Sequence, residues 1–464
     1  MNSPVACDEA SSPALGPATE AGLGLSPGGD PGCGLFNGGP PLAVLWEQSL
    51  LWGLVCVETL EALGVPFRLL DARDIVRGAL GRHRVLLVPG GWAAHKVRAL
   101  GEEGGRRLHR FIEDGGSYLG FCGGAGLPLS GASALDLVPL ERMPLEERLP
   151  NASGRVHLRS LGSHPLWRGL PETVPVPVWW PSQFRWQPMP RSLCLAVYER
   201  PGSDFQVADL PVSDLESHPV PWEEWENLYG INLHPARLMG QPAIVEIRLG
   251  KGRLVLSYPH METPGERKAN LLLLNTLSYL DAQAARPLSS PLSLPSSSPS
   301  STPSWTAETV EELERVGELV DGLMAFGERH LLWKWRRHWV LQWTRGIRGL
   351  EYGTLFYAVG RLRQKVRERL QSPPSGPCHP SMEGLRIDVE KFCARSRRLL
   401  LEEKVASRRG GLKKLGPVNE TVDGLRRELF GSRMNHGGLC RAIFDRLDAL
   451  LLQWLAAPPP SLKH

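Results

Sequence analysis

At 464 residues the chain exceeds what one hydrophobic core ordinarily fills, so two folded units joined by linkers are expected. Its formal net charge of +4 points to no particular partner, although from Ser304 onward 28 Lys and Arg face 19 Asp and Glu, which leaves the remainder mildly acidic. Eight scattered cysteines without a Cys-x-x-Cys spacing argue against a disulfide scaffold and a cysteine-rich zinc site, and suit a reducing compartment. The first 40 residues hold no Lys or Arg and no apolar run like that of a signal peptide, and no stretch is apolar for long enough to span a bilayer. A cytoplasmic, soluble protein is the expectation.

Residues 1–40 are rich in Gly, Pro, Ser and Ala, a composition that predicts disorder. Order is expected to begin with a strand at Leu42–Trp46, followed by a helix from Leu50 to Leu63 that Gly64 stops. A second strand runs from Pro66 to Leu70, and Asp71 is placed to cap a helix over Ala72–Leu80. The third strand, Val85–Val88, ends in Pro89-Gly90-Gly91. A helix over Arg106–Asp114 then leads to a fourth strand that stops at Cys122. Strand and helix alternating at this spacing predict a parallel sheet with right-handed crossovers, whose ligands sit beyond the carboxyl ends of the strands.

At that edge lies Gly120-Phe121-Cys122-Gly123-Gly124, the cysteine counterpart of the Gly-x-Ser-x-Gly nucleophile elbow. So sharp a turn strains the backbone of its central residue and leaves no room for side chains on either side. The sulfur is presented near the first N–H groups of the next helix. The plainer alternative is a glycine-rich turn around a structural cysteine. About 140 residues on, the strand Gly252–Pro259 ends in His260-Met261-Glu262. The imidazole there is placed to take a thiol proton, and the carboxylate to orient it. Amides around Gly90, Gly91 and Gly123 are the candidates for an oxyanion hole.

From Leu135 to Pro221 short strands and Pro-rich turns are expected. Trp179, Trp180 and Phe184 form either a substrate wall or packing. Ala243–Leu249 turns through Gly250-Lys251-Gly252 as a hairpin, and a helix over Lys268–Leu280 closes a unit spanning 41–284. Residues 285–304, mostly Ser, Pro, Leu and Thr, form the linker to a helical unit spanning 305–457. Its helices are expected near 306–326, 328–346, 351–371, 382–406, 418–430 and 437–456. In the second of these, Leu332, Trp335, Trp339 and Trp343 fall on one helical stripe, with Lys334, Arg337, Arg345 and Arg348 opposite and Trp333 off the stripe. The stripe is expected to face the core. Exposed, it would suit a membrane surface or a nucleic acid, neither of which is the expected partner.

The Pro89-Gly90-Gly91 turn, the Cys122 elbow, and Gly250-Lys251-Gly252 leading to His260-Met261-Glu262 resemble a class I glutamine amidotransferase-like domain. More narrowly, they resemble the variety at the N-terminus of biotin–protein ligases. Over residues 42–282 the resemblance implies an α/β fold, a flavodoxin-like mostly parallel sheet with helices on both faces, and a Cys122–His260–Glu262 triad. A separate all-α unit follows. The expected activity is cysteine-dependent hydrolysis or amidotransfer on a small amide or acyl substrate, with no metal and no cofactor. The alternative is a catalytically inactive scaffold that engages a protein partner through its basic helical unit. Ala125-Gly126-Leu127 stands where glutamine-hydrolysing members usually place a polar residue, often Gln. No Gly-Arg-Gly-Arg loop of a biotin ligase occurs, so biotin ligation is not expected.

Overall fold

The computed structural model describes residues 42–215, 219–285, 306–370, 382–408, 416–431 and 437–456. The N-terminal segment 1–40 and the linker 285–304, apart from Ala285, lie outside the described residues, as do Cys7, Cys33 and Cys378.

The chain opens with β1 (Leu42–Leu45), α1 (Leu51–Ala62), β2 (Phe67–Leu70), α2 (Ala72–Val76), β3 (Val85–Val88), α3 (Ala93–Glu113) and β4 (Ser117–Phe121). A single turn, α4 (Gly123–Gly126), follows, and then a run of mostly antiparallel pieces. These are β5 (Glu141–Arg142), β6 (Ala152–Ser160), β7 (Thr173–Trp179), β8 (Phe184–Arg185), β9 (Ser192–Pro201), β10 (Gln206–Val207) and β11 (Leu210–Pro211). After α5 (Trp222–Tyr229), the hairpin β12 (Pro242–Leu249) and β13 (Gly252–Ser257) leads to α6 (Arg267–Gln283).

The sheet has two halves. Strands β2, β1, β3, β4 and β13 are parallel neighbours in that order, which is the 2-1-3-4-5 order of a flavodoxin-like fold. Beyond β13 the sheet continues antiparallel through β12, β9, β6, β10 and β11, with β7 on the other edge of β6. Alternation assigns the two faces of the parallel half. Leu42, Val44, Val85, Leu87, Leu119 and Phe121 pack on one side, while Ala43, Leu45, Leu86, Val88 and Tyr118 pack on the other. Asp71 caps α2 as expected, its Oδ1 accepting from the Asp74 amide at 2.8 Å.

Past the linker come α7 (Ala307–Arg329), β14 (Trp333–Arg337), β15 (Val340–Trp343), α8 (Gly349–Leu370), α9 (Glu383–Ser407), α10 (Glu420–Phe430) and α11 (Gly438–Ala456). Five of the six expected helices are present. The second, near 328–346, is instead the antiparallel hairpin β14–β15, with Trp333 opposite Trp343 and Trp335 opposite Leu341. Its tryptophans satisfy a period of two as well as one of 3.6. The short aromatic arms on either side of His338-Trp339 favour strands, in which bulky rings pack across the ladder. Trp333, the residue off the expected stripe, is 5 % exposed and donates its indole N–H to the Met324 carbonyl at 3.2 Å.

The arginines of this stretch are used internally, while Lys334 is exposed. Arg336 donates to Ser153 and Gln206 and to the Asp204 carbonyl, and Arg337 pairs with Glu266. Arg345 donates through its amide to Asp209 and through its guanidinium to the Tyr229 carbonyl. Arg348 holds Glu351 at 2.8 Å. The Trp46 indole also donates to the Asp448 carbonyl of α11 at 3.1 Å, and one hydrophobic cluster runs from Leu42 through to Trp454. Among the described residues no helix is long and apolar enough to cross a membrane.

Candidate active site

The parallel register delivers the two ends of the site to one edge. β13 pairs with β4 so that Ser257 lies opposite Phe121, and the Cys122 amide donates to the Ser257 carbonyl at 2.9 Å. Cys122 itself has φ 48° and ψ −107°, a strained backbone for a residue with a side chain. The glycines beside it are required by close approach. A Cβ on Gly123 would lie 1.8 Å from the Gly91 carbonyl oxygen, and one on Gly124 would lie 2.0 Å from that of Val88. The elbow and the Gly90-Gly91 turn are therefore in contact, as the strand-end rule predicts. The leading N–H groups of α4 have no intrahelical acceptor and lie beside Cys122.

The His260–Glu262 loop is clamped from three elements. His260 donates its amide to the Pro177 carbonyl of β7, Thr59 of α1 donates to the Glu262 carbonyl at 2.7 Å, and Asn270 of α6 donates to the carbonyls of Met261 and Thr263. His260 and Glu262 are both fully buried, with Nδ1 and Oε1 2.7 Å apart. The carboxylate acceptor assigns the proton to Nδ1 and leaves Nε2 toward Cys122. Nε2 has no well-formed hydrogen bond, yet the thiol is near enough to favour the imidazolium. Burial opposes that charge, but Glu262 and Cys122 outweigh it and push His260 up to about 10. The other four described thiols are held protonated by burial: Cys56 and Cys440 well above their usual range, Cys194 at about 11 and Cys393 at about 12.

Of the aromatic wall residues, Trp179 and Phe184 are core. Trp179 is 1 % exposed, bonds Thr263 through its indole N–H and meets Trp339 edge-on, while Phe184 is fully buried against Tyr258. Trp179 packs in the cluster on one side of the main sheet, and Phe184, from the separate β5–β8 pair, packs in the cluster on the other, so neither is exposed as a wall. Trp180 is half-buried and stacks on Trp343 with ring centroids 5.1 Å apart.

Several residues at the site carried no motif. Trp52 in α1 covers the His260 ring, and Lys96 in α3 is buried beneath the turn, donating to Ser49 Oγ at 2.6 Å and the Glu47 carbonyl at 2.8 Å. Burial pushes Lys96 down to about 7 against the pull of Asp448, Glu47 and Cys122. Tyr258 and Arg148 are also near enough to Cys122 to feel its charge. Only Tyr258 had a sequence signal, its position immediately after the strand that carries His260. Among the described residues no group of His, Cys, Asp and Glu gathers as metal ligands.

Comparison with known proteins bears on the same edge of the sheet. Residues 81–128, from the approach to β3 through the elbow, match the family model described as biotin-protein ligase, N terminal. No curated protein matches the chain. Among solved structures, a GMP synthase-type protein from Thermoplasma acidophilum is similar at 13 % identity and a TM-score of 0.34, over 52 % of this chain and 94 % of its own. A ThuA-like protein from Bacteroides uniformis is similar at 12 % identity and a TM-score of 0.33, over 52 % and 91 %. A glutamine amidotransferase from Thermotoga maritima is similar at 12 % identity and a TM-score of 0.30, over 52 % and 98 %.

Proposed function

We infer that this amidotransferase-like protein is a cysteine-dependent acyl-transfer enzyme, hydrolysing or transferring the acyl group of a small amide or related substrate. The observation that carries this is the buried 2.7 Å His260–Glu262 pair facing a cysteine held at positive φ on a strand-to-turn elbow. The sulfur of Cys122 forms a bond to the acyl carbon, and the carbonyl pair moves onto oxygen beside the amides of the Gly90-Gly91 turn and Gly123. The thiol proton is held on His260 Nε2, in an imidazolium that Glu262 favours. Collapse of the intermediate breaks the C–N bond, and the departing amine takes that proton. Water, or an amine acceptor, then gives a proton to Nε2 and attacks the thioester, and Cys122 leaves.

Arg337, Arg345 and Arg348 are used internally, so a scaffold working through the basic helical unit would have to engage its partner through other residues. The test is alkylation of the full-length protein with iodoacetamide across pH, each cysteine read by mass spectrometry. Cys122 should be the fastest thiol, slowed about ten-fold or more by His260→Ala and less by Glu262→Gln. Labelling of Cys122 no faster than free cysteine, or unchanged in His260→Ala, removes the catalytic assignment.

A further inference from the structure

We propose that the acyl substrate of Cys122 carries an anionic group, a carboxylate or phosphate, received by Arg148 and Tyr258 beside the nucleophile. This rests on Cys122 being the nucleophile and names the class of molecule it acts on.

Tyr258 directly follows Ser257, whose carbonyl accepts from the Cys122 amide, so its position at the strand end is fixed by the same register as the nucleophile. The ring is 1 % exposed and packed on Phe184, with its hydroxyl 4.0 Å from where a Cβ on Gly126 would stand, on the turn after Cys122. That hydroxyl is buried without a hydrogen-bond partner. Ser182 lies beside it but forms no well-directed hydrogen bond with it, its Oγ being engaged by the Arg148 guanidinium.

Arg148 is brought to the same place by main-chain stitching. The Leu149 amide donates to the Gln183 side chain at 2.7 Å, the Met143 amide donates to the Gln183 carbonyl at 2.9 Å, and β5 pairs Arg142 with Phe184. Arg148 Nε is buried with no partner, and neither Arg148 nor Arg142 forms an ion pair among the described residues. Glu146 bears on Arg148 only from a distance.

The two guanidinium groups are therefore near enough to repel, while the carboxylates around them pair elsewhere, Glu141 and Glu147 with Arg185. Burial and Arg142 lower Arg148, and burial pushes Tyr258 up to about 12, so the phenol stays a donor. A buried donor without an acceptor is destabilising, and a like-charge pair adds to that cost. A bound anion relieves both at once, accepting from Arg148 Nε and the Tyr258 hydroxyl while its acyl carbon lies at the sulfur. A neutral substrate would leave both donors unmet.

The test sets two alkylating agents of similar size against the full-length protein, anionic iodoacetate and neutral iodoacetamide, with the rate at Cys122 read by mass spectrometry. Relative to free cysteine, Cys122 should favour iodoacetate by about ten-fold or more, because opposite charges in a partly buried site attract by more than RT. Arg148→Gln should abolish the preference, and Tyr258→Phe, which keeps the ring, should reduce it about three-fold. A Cys122 that reacts quickly with iodoacetamide but shows no preference for iodoacetate overturns the anion site and leaves the nucleophile standing. A preference that survives both substitutions belongs to another cation near the sulfur, the His260 imidazolium or Lys96, and also overturns it. A Cys122 slow with both reagents removes the nucleophile itself.

Discussion

The indole of Trp52 lies over the imidazole of His260, with ring centroids 4.5 Å apart and planes inclined by 36°. Trp52 also fills the space above Gly90, where a Cβ would stand 2.7 Å from the indole Cγ. One side chain of α1 thus joins the proposed general base to the turn proposed to hold the oxyanion, and it covers that face of the ring.

The raised pKa of His260 beside Glu262 gives a signed dependence on pH. His260 is raised from an ordinary value near 6.5 to about 10. Its stabilising contribution is therefore complete below about pH 6.5 and is lost as pH rises through about 10. Lys96 works oppositely: lowered from 10.5 to about 7, it makes stability rise with pH between those values, so the wild-type profile shows only a difference. Denaturant unfolding of wild type and His260→Gln from pH 6 to pH 10 separates the two. The stability gap should shrink by on the order of 4 kcal/mol across that range. A gap that stays constant with pH would mean His260 is neutral in the folded protein.

Trp339 ties the second half of the chain to this arrangement. From the turn of the β14–β15 hairpin it meets Trp52 at 6.1 Å and Trp179 at 5.1 Å, and it is 1 % exposed. Replacing it with Ala should cost roughly 3–5 kcal/mol, as for other large aromatics removed from a core. Because the contact runs on through Trp52 to His260, the same variant should also slow alkylation of Cys122 under conditions where it remains folded. An unchanged melting temperature for Trp339→Ala would show that the hairpin does not brace the site.

The parallel half and the meeting of the Cys122 and His260 segments at one of its edges were legible because each depends on local rules. Alternating apolar residues in β1, β3 and β4 fix which face each side chain takes, and only glycine fits beside Cys122 or against the Val88 carbonyl. His260-x-Glu262 could be placed because it ends the strand that pairs with β4. The hairpin failed for a physical reason. Tryptophans at 333, 335, 339 and 343 fit both a helix and a ladder, and the choice between them was made by distant partners such as Trp179 and Trp52. Trp52, Lys96 and Arg148 were invisible for the same cause. They join the site only once α1, α3 and the segment before β6 are packed on the sheet.

Strain at the elbow supplies the sharpest test of why these residues are glycines. In Gly123→Ala the new methyl would stand 1.8 Å from the Gly91 carbonyl oxygen, a main-chain atom that cannot swing aside. Either the elbow or the Gly90-Gly91 turn must then move, which separates Cys122 from the amides proposed to hold the oxyanion. A loss of about 2 kcal/mol or more in stability and about 10²-fold in turnover is expected, in line with a donor removed from an oxyanion hole. Gly126→Ala is the internal control. Its methyl would meet only the Ala93 Cβ at 3.7 Å and the Tyr258 hydroxyl at 4.0 Å, both ordinary contacts. It lies in the same turn and should leave stability unchanged or slightly raised, since alanine restricts the unfolded chain more than glycine does. Equal behaviour of the two variants in thermal unfolding and Cys122 labelling would show that the turn is loose, and the elbow would then be no more than a glycine-rich bend.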